Sequence, residues 1–337
     1  MREGVLCIGT TTVDYTKKID HLPELESLVL IDEITRSTGG PGLNIACNLR
    51  QLDVEFPVEA IGCIGNDAEG AYIIEQTALW GIDNLRMQRS ENKVTSFSDA
   101  LTLNSNGKRT FLFHPGANDD LDLAAIDLDQ RSPRILHLGA AGLHAKADAP
   151  TTRHSNQWVE TLERARSLGI HTNMEMVYLD PARSRELVLP CLPHLSFLII
   201  NESEAGALLD ESIKVAGPDA HVDWNALEQS ARRLISLGVN QLAVIHTPAG
   251  AVAANATGET WRQGSVKVPK TNNKGTTGAG DAFASGVVYG LHAGWSVPDC
   301  LKLGVATSAQ NIQSPSSCAD VKPHPQTLSE ADAYGYR

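Results

Sequence analysis

The segment Asn272–Ser285 reads NNKGTTGAGDAFAS. Gly278, Ala279 and Gly280 are small and precede a run with helical spacing. Their unobstructed backbone N–H groups and the positive end of a helix dipole therefore converge on one point, which suits an anion. Asp281 follows at once. A carboxylate beside a bound anion is electrostatically awkward unless it has a task there, such as accepting a proton from an attacking hydroxyl. Phosphoryl transfer needs both parts, donors for the charge on the moving group and a base for the nucleophile. Asp also caps helices well, so the turn alone leaves cap and base open.

A second glycine-rich turn lies far upstream in Ser37–Asp53, STGGPGLNIACNLRQLD. Gly39, Gly40 and Gly42 would let a ligand approach the backbone, and Asn44 offers a donor and an acceptor to a polyol. The same residues also suit a plain turn with Asn44 as a local cap. Asp14, in GTTTVD, follows the first apolar run, at the strand end where open α/β sheets place ligands. A carboxylate there can hold two adjacent hydroxyls.

The elements that must position these turns alternate. Apolar runs at Val5–Gly9, Val58–Gly65, Ile135–Gly139, Phe197–Asn201 and Leu242–His246 read as buried strands. Helical spacing marks Leu43–Leu52, Ala71–Leu79, Trp158–Leu168, Leu227–Leu237 and Asp281–Leu291. Parallel strands need long crossovers, which helices supply, so the pattern predicts a doubly wound α/β fold with a mostly parallel sheet. Two stretches break the alternation. A polar one begins at Val13, and Ser96–His114 reads as a hairpin about the turn dipeptide Asn106-Gly107. Both are expected to form a small β layer, or else ordinary surface excursions. Nothing resembles a linker between independent domains.

A net charge of −12 disfavours a nucleic-acid surface built on phosphate contacts. No run reaches the roughly 20 apolar residues of a membrane span, and the start MREGVLCIGT enters a strand directly, so a cytoplasmic protein is expected. The 6 cysteines, Cys7, Cys47, Cys63, Cys191, Cys300 and Cys318, contain no C-x-x-C pair and read as buried structural thiols.

Taken together, GTTTVD, GGPGLN, IGNDAEG (Ile64–Gly70), NESE (Asn201–Glu204) and GTTGAGDAF resemble the ribokinase-like (PfkB) sugar and nucleoside kinases, in their order and over about Val5 to Pro323. The resemblance implies a kinase domain over 1–325, with lid segments at about 12–36 and 93–115, and a tail at 326–337. It implies Asp281 as the base, with Gly278, Ala279 and Gly280 as the anion hole. Asp14, Gly39, Gly40 and Asn44 would hold the sugar-like substrate. Asn201, Glu204, Gly250 and Asn311 would serve the nucleotide, with Glu204 on Mg²⁺ through water. Partners would be the substrate, ATP and a second copy of the chain docked through the lid, which closes to exclude water.

Departures qualify the resemblance. Only Gly250 survives of a T-x-G-x-x-G element at Ile245–Gly250, which leaves nucleotide contacts from Thr247 unsupported. Gly275 stands where many members carry an Asp that helps hold a monovalent cation, so a K⁺ requirement does not follow. Lys93 and Arg109 could meet a substrate phosphate or be solvated charge. A nucleoside kinase is the main alternative, with Phe97 or Phe113 as stacking partners for a base. A catalytically silent kinase-like protein would lack the base or the anion hole, and both are present. A nicotinamide dehydrogenase would need G-x-G-x-x-G after a strand with an acid about 20 positions on, which is missing.

Overall fold

A computed structural model describes residues 2–105, 107–130, 133–177, 179–314, 316–318 and 320–337. The first half of the chain runs β1 (Val5–Gly9), β2 (Thr12–Ile19), β3 (Glu33–Gly39), α1 (Pro41–Gln51), β4 (Val58–Ile61), β5 (Cys63–Ile64), α2 (Ala68–Leu79), β6 (Gln88–Arg89), β7 (Phe97–Leu103) and β8 (Arg109–His114). Next come β9 (Ile135–Gly139), α3 (Gln157–Ser167), β10 (His171–Glu175), α4 (Pro181–Val188), β11 (Phe197–Asn201), α5 (Glu202–Leu209) and α6 (Trp224–Ser236). The last are β12 (Leu242–Thr247), β13 (Gly250–Asn255), β14 (Thr260–Gly264), α7 (Ala279–Ala293), α8 (Val297–Asn311) and α9 (His324–Tyr334).

The main sheet has 8 strands in the order β14-β13-β12-β11-β10-β9-β1-β4. It is parallel from β4 to β12, and β13 and β14 close one edge antiparallel. Alternate side chains divide between two cores, as parallel strands covered on both faces require. Leu6 and Ile8 of β1, Leu198 and Ile200 of β11, and Ala243 and Ile245 of β12 pack with α3 to α6. Their neighbours Val5, Cys7, Phe197, Ile199, Leu242 and Val244 pack with α1, α7 and α8. Burying each Leu or Ile contributes about 1.5–3 kcal/mol, so the strands are held from both sides.

Three sequence expectations change. The run Val58–Gly65 is two strands, broken at Gly62, where a Cβ would stand 1.9 Å from Thr11 Oγ1. Beyond the break β5 leaves the main sheet and pairs with β6. Strand β10 escapes the hydrophobic pattern because it reads HTNME, although four of its five residues are buried. Residues 326–337, expected as a tail, lie mostly in α9, and Tyr336 then bridges to Val266 beside the main sheet.

The two polar stretches assemble into a 4-stranded layer, order β3-β2-β7-β8. Asn106 of the expected turn lies outside the described residues, and Gly107 beside it has φ 67°. All six cysteines are free and buried. Among the described residues no helix is long and apolar enough to cross a membrane.

Candidate active site

Both glycine-rich turns open helices without side-chain caps, whereas Asp67, Asn156, Asp180, Asn201, Asp223 and Ser296 cap others. Gly40 precedes α1 with φ 98°, and Gly278 precedes α7 with φ 78°. Each position also forbids a side chain by contact: a Cβ on Gly40 would meet the Thr10 carbonyl oxygen at 2.2 Å, and one on Gly278 the Ser317 carbonyl oxygen at 1.9 Å. At the start of α7, the Ala279 N–H donates to the Thr276 carbonyl, 3.2 Å away.

Packing of α1 against α7 brings the two turns together. The amide of Asn44, a buried residue of α1, donates to Asp281 Oδ2 at 2.5 Å. Asp281 stands in the first turn of α7, where the helix dipole favours an acid. Asp14 projects from β2, and its Oδ1 accepts from the Ser98 hydroxyl on β7 at 2.5 Å. Burial pushes Asp14 up to about 6, against the Ser98 hydrogen bond, with Asp281 adding to the rise and Arg109 opposing it. Gly39 lies against the same carboxylate. Contacts thus join Gly39 to Asp14 and Asn44 to Asp281, and the charges of Asp14 and Asp281 act on each other.

Arg109 reaches in from β8. Its guanidinium would be 2.9 Å from a Cβ on Gly275 and it faces Asp14, while burial lowers its basicity. Lys93 is turned elsewhere, paired with Asp119 at 3.4 Å and Asp120 at 3.0 Å. Phe97 stacks on His114 at 5.2 Å, and Phe113 is 37% exposed.

A cleft of about 570 Å³ is lined by Asn201, His246, Gly250, Ala279, Gly280 and Phe283, among others. That volume suits a small organic ligand. Gly250 belongs to a tight β12–β13 turn, and a Cβ there would meet the Gln263 carbonyl oxygen at 2.2 Å. The Thr247 hydroxyl is spent inside that turn, on the Gly250 carbonyl at 3.2 Å and the Ala249 amide at 3.1 Å. Asn201 and Glu204 form a reciprocal capping box on α5, each side chain accepting the other's backbone N–H at 2.9 Å. Burial pushes Glu204 up to about 8.

Two residues expected at the nucleotide stand back from the cleft. Glu204 is buried behind Asn201 and does not line it. Asn311 is fully buried, because its side-chain amide donates to the Ser317 carbonyl at 2.9 Å and braces the loop that follows α8. The segment Ala306–Ser317 instead contributes Ser308, Ala309 and Ile312 to the cleft; Pro315 lies outside the described residues. Among the described residues no group of three or more His, Cys, Asp or Glu side chains could hold a metal. Sequence reasoning missed His246, neutral because burial pushes it down to about 4, and Glu175, at the end of the polar strand β10.

The model of the pfkB family carbohydrate kinases matches residues 2–324. The chain belongs to the PfkB family. It is an ATP-dependent carbohydrate kinase on the doubly wound ribokinase fold. Relatives within the PfkB family include a ribokinase of Schizosaccharomyces pombe, 24% identical over 293 residues, covering 86% of this chain and 85% of the relative. A 5-dehydro-2-deoxygluconokinase of Shouchella clausii is 26% identical over 340 residues, covering 98% and 93%. Among solved structures, Arabidopsis thaliana ribokinase complexed with ribose and ATP superposes with a TM-score of 0.79 at 18% identity, covering 98% of this chain and 99% of that one.

Proposed function

We propose that this PfkB kinase transfers the γ-phosphoryl of ATP to a hydroxyl of a sugar or sugar-like substrate, with Asp281 as general base. The observation that carries the reading is the 2.5 Å contact between Asn44 and Asp281, which joins the substrate turn to the anion-binding turn. Asp14 and Asn44 would grip the acceptor's hydroxyls. Asp281 would then take the proton of the attacking hydroxyl as its oxygen bonds to phosphorus. The amides at Gly278, Ala279 and Gly280 would carry the charge spread over the transferring group, and ADP would leave through the cleft lined by Asn201 and Gly250.

Mg²⁺ is the metal such chemistry calls for. Asn201, which lines the cleft, would meet the ion through waters that the ion keeps, with Glu204 fixing Asn201 from behind. Bound there, the ion supplies charge neutralisation for the ATP phosphates. Gly250 would give the nucleotide close approach to the backbone. The β layer would serve as a lid that keeps water from the phosphoryl group, and as the contact for a second copy of the chain. The sugar reading is preferred to a nucleoside one because Phe97 already stacks on His114.

The test is turnover of ATP against a panel of sugars, sugar acids and nucleosides, for the wild type and Asp281→Asn. Loss of kcat by about 1,000-fold or more with ATP affinity intact is expected for removal of the base. Near-normal turnover in the variant would remove Asp281 from that role.

A further inference from the structure

The cleft read above as the nucleotide's runs along one edge of the main sheet. Asn201 of β11 pairs with His246 of β12, Thr247 with Gly250 of β13, and Gly250 with Gly264 of β14. Asn201, His246, Gly250 and Ser265, the residue after Gly264, all line the cleft. Three strand spacings separate β11 from β14, about 14 Å. Asn201 and the amides of the α7 turn belong to the phosphate end, so the end at Ser265 receives the part of the nucleotide farthest from the transferring group.

The segment that follows α9 builds that far end. Tyr336 bridges to Val266, the Lys267 N–H donates to the Gly335 carbonyl at 2.9 Å, and the Arg337 N–H donates to the Ser265 carbonyl at 2.9 Å. Gly264 makes room for the segment, because a Cβ there would lie 2.0 Å from the Arg337 carbonyl oxygen. The Arg337 guanidinium is pinned at three points. Its Nε donates to Asp219 Oδ1 at 2.9 Å, and its Nη1 donates to the Ser265 hydroxyl at 3.1 Å and to the Val266 carbonyl at 2.6 Å. The side chain is 22% exposed, and both Arg337 and Asp219 line the cleft. Val266, Val268, Val305, Ala309 and Ile312 give the same cleft apolar surface.

A phosphate at this end would draw on the charge of Arg337, but Asp219 already offsets that charge. What the ion pair leaves is a flat, weakly hydrated guanidinium, a group that stacks on aromatic rings. A nucleobase is such a ring, and apolar walls suit it.

We propose that Arg337 is a nucleotide-binding residue, a guanidinium plane held by Asp219, Ser265 and Val266 against which the base of ATP rests. The segment after α9 thereby sets nucleotide affinity and leaves the transfer step untouched. The inference rests on the cleft being the ATP site.

Binding of ADP by isothermal titration is compared with binding of inorganic tripolyphosphate, which has phosphates and no base, measured as inhibition competitive with ATP. Arg337→Ala should weaken ADP about tenfold and leave tripolyphosphate within about twofold. In turnover with the fastest acceptor of the panel, the same variant should raise the KM for ATP about tenfold and keep kcat and the acceptor KM within about twofold. Unchanged ADP affinity, or equal weakening of both ligands, would overturn the proposal. Asp219→Ala unpins the guanidinium without removing it and should weaken ADP by about two- to fivefold, and tighter ADP binding in that variant would also overturn the proposal. Should Arg337→Ala lower Tm, Arg337→Met keeps the apolar stem without the plane and decides in its place. Ser308→Trp puts a large ring into the cleft from α8 and should block ADP. Wild-type ADP affinity in Ser308→Trp would move the nucleotide out of this cleft and sink the reading beneath the inference, whereas blocked ADP there with no effect of Arg337→Ala sinks the inference alone.

Discussion

Gly39 stands so close to Asp14 that a Cβ on residue 39 would lie 2.1 Å from Asp14 Oδ2. The carboxylate has room because residue 39 has no side chain, and its environment then sets its proton affinity. The group is raised from 3.8 to about 6, chiefly by burial. The folded chain therefore binds this proton more tightly than the unfolded one. The stability this group contributes is fully present below its unfolded value of 3.8 and is lost as pH rises to about 6.

In the proposed role function runs the opposite way, since an ionised Asp14 would accept the substrate's hydroxyls. The acceptor KM should rise as pH falls through about 6, with ATP affinity little changed. Asp14→Asn should raise Tm by about 2–4 °C well above that pH, and raise the acceptor KM at least about tenfold. Thermal unfolding and initial rates across pH check both, and a variant less stable than wild type at high pH would contradict the assignment.

Gly278 and Gly280 should respond differently to the same added methyl group. Gly278→Ala places a Cβ 1.9 Å from a backbone oxygen at φ 78°, whereas Gly280→Ala meets only the edge of His246 at 3.3 Å. Loss of kcat by about 100-fold or more is expected for Gly278→Ala and less than about tenfold for Gly280→Ala, with both variants folded by circular dichroism.

Replacing K⁺ by Na⁺ at constant ionic strength should change kcat by less than about twofold, because the ground beside Gly275 already holds the fixed positive charge of Arg109. Strong activation by K⁺ would show that backbone carbonyls rebuild a cation site there.

Dimerisation through the β layer should be visible by sedimentation. Its outer edge strands and the loop before β3 expose Leu28, Leu30, Ile34, Phe111 and Leu112. Such a patch suits a self-complementary contact between two copies. Ile34→Lys together with Leu112→Lys should shift the chain toward monomer with its fold unchanged, and an unaltered sedimentation coefficient would move the contact elsewhere.

What the sequence makes legible is local. Gly40 and Gly278 announce themselves because the backbone at each needs a positive φ and bare space. The apolar runs at β1, β9, β11 and β12 stand out because both faces of those strands are buried. Strand β10 is buried too, but Thr172 bonds to His194 and Ser196 and Asn173 to His137 in place of hydrophobic packing, so no period betrays it. Glu175 was hidden for that reason. Asn311 and Glu204 were misplaced for a related one: spacing shows that an Asn or Glu lies near a site, and tertiary hydrogen bonds decide whether it faces the ligand or braces the wall.

Asn311 holds the Ser317 carbonyl, and that carbonyl is what leaves no space for a side chain on Gly278. The C-terminal end of α8 is thereby a mechanical strut for the turn proposed to receive the phosphoryl group. Residues on the same helix, Ser308 and Ala309, line the cleft proposed for the nucleotide. Whatever fills that cleft would press on the same last turn of α8 that Asn311 occupies, so the length and stiffness of the loop after α8 become tuning parameters for turnover that touch no reacting atom.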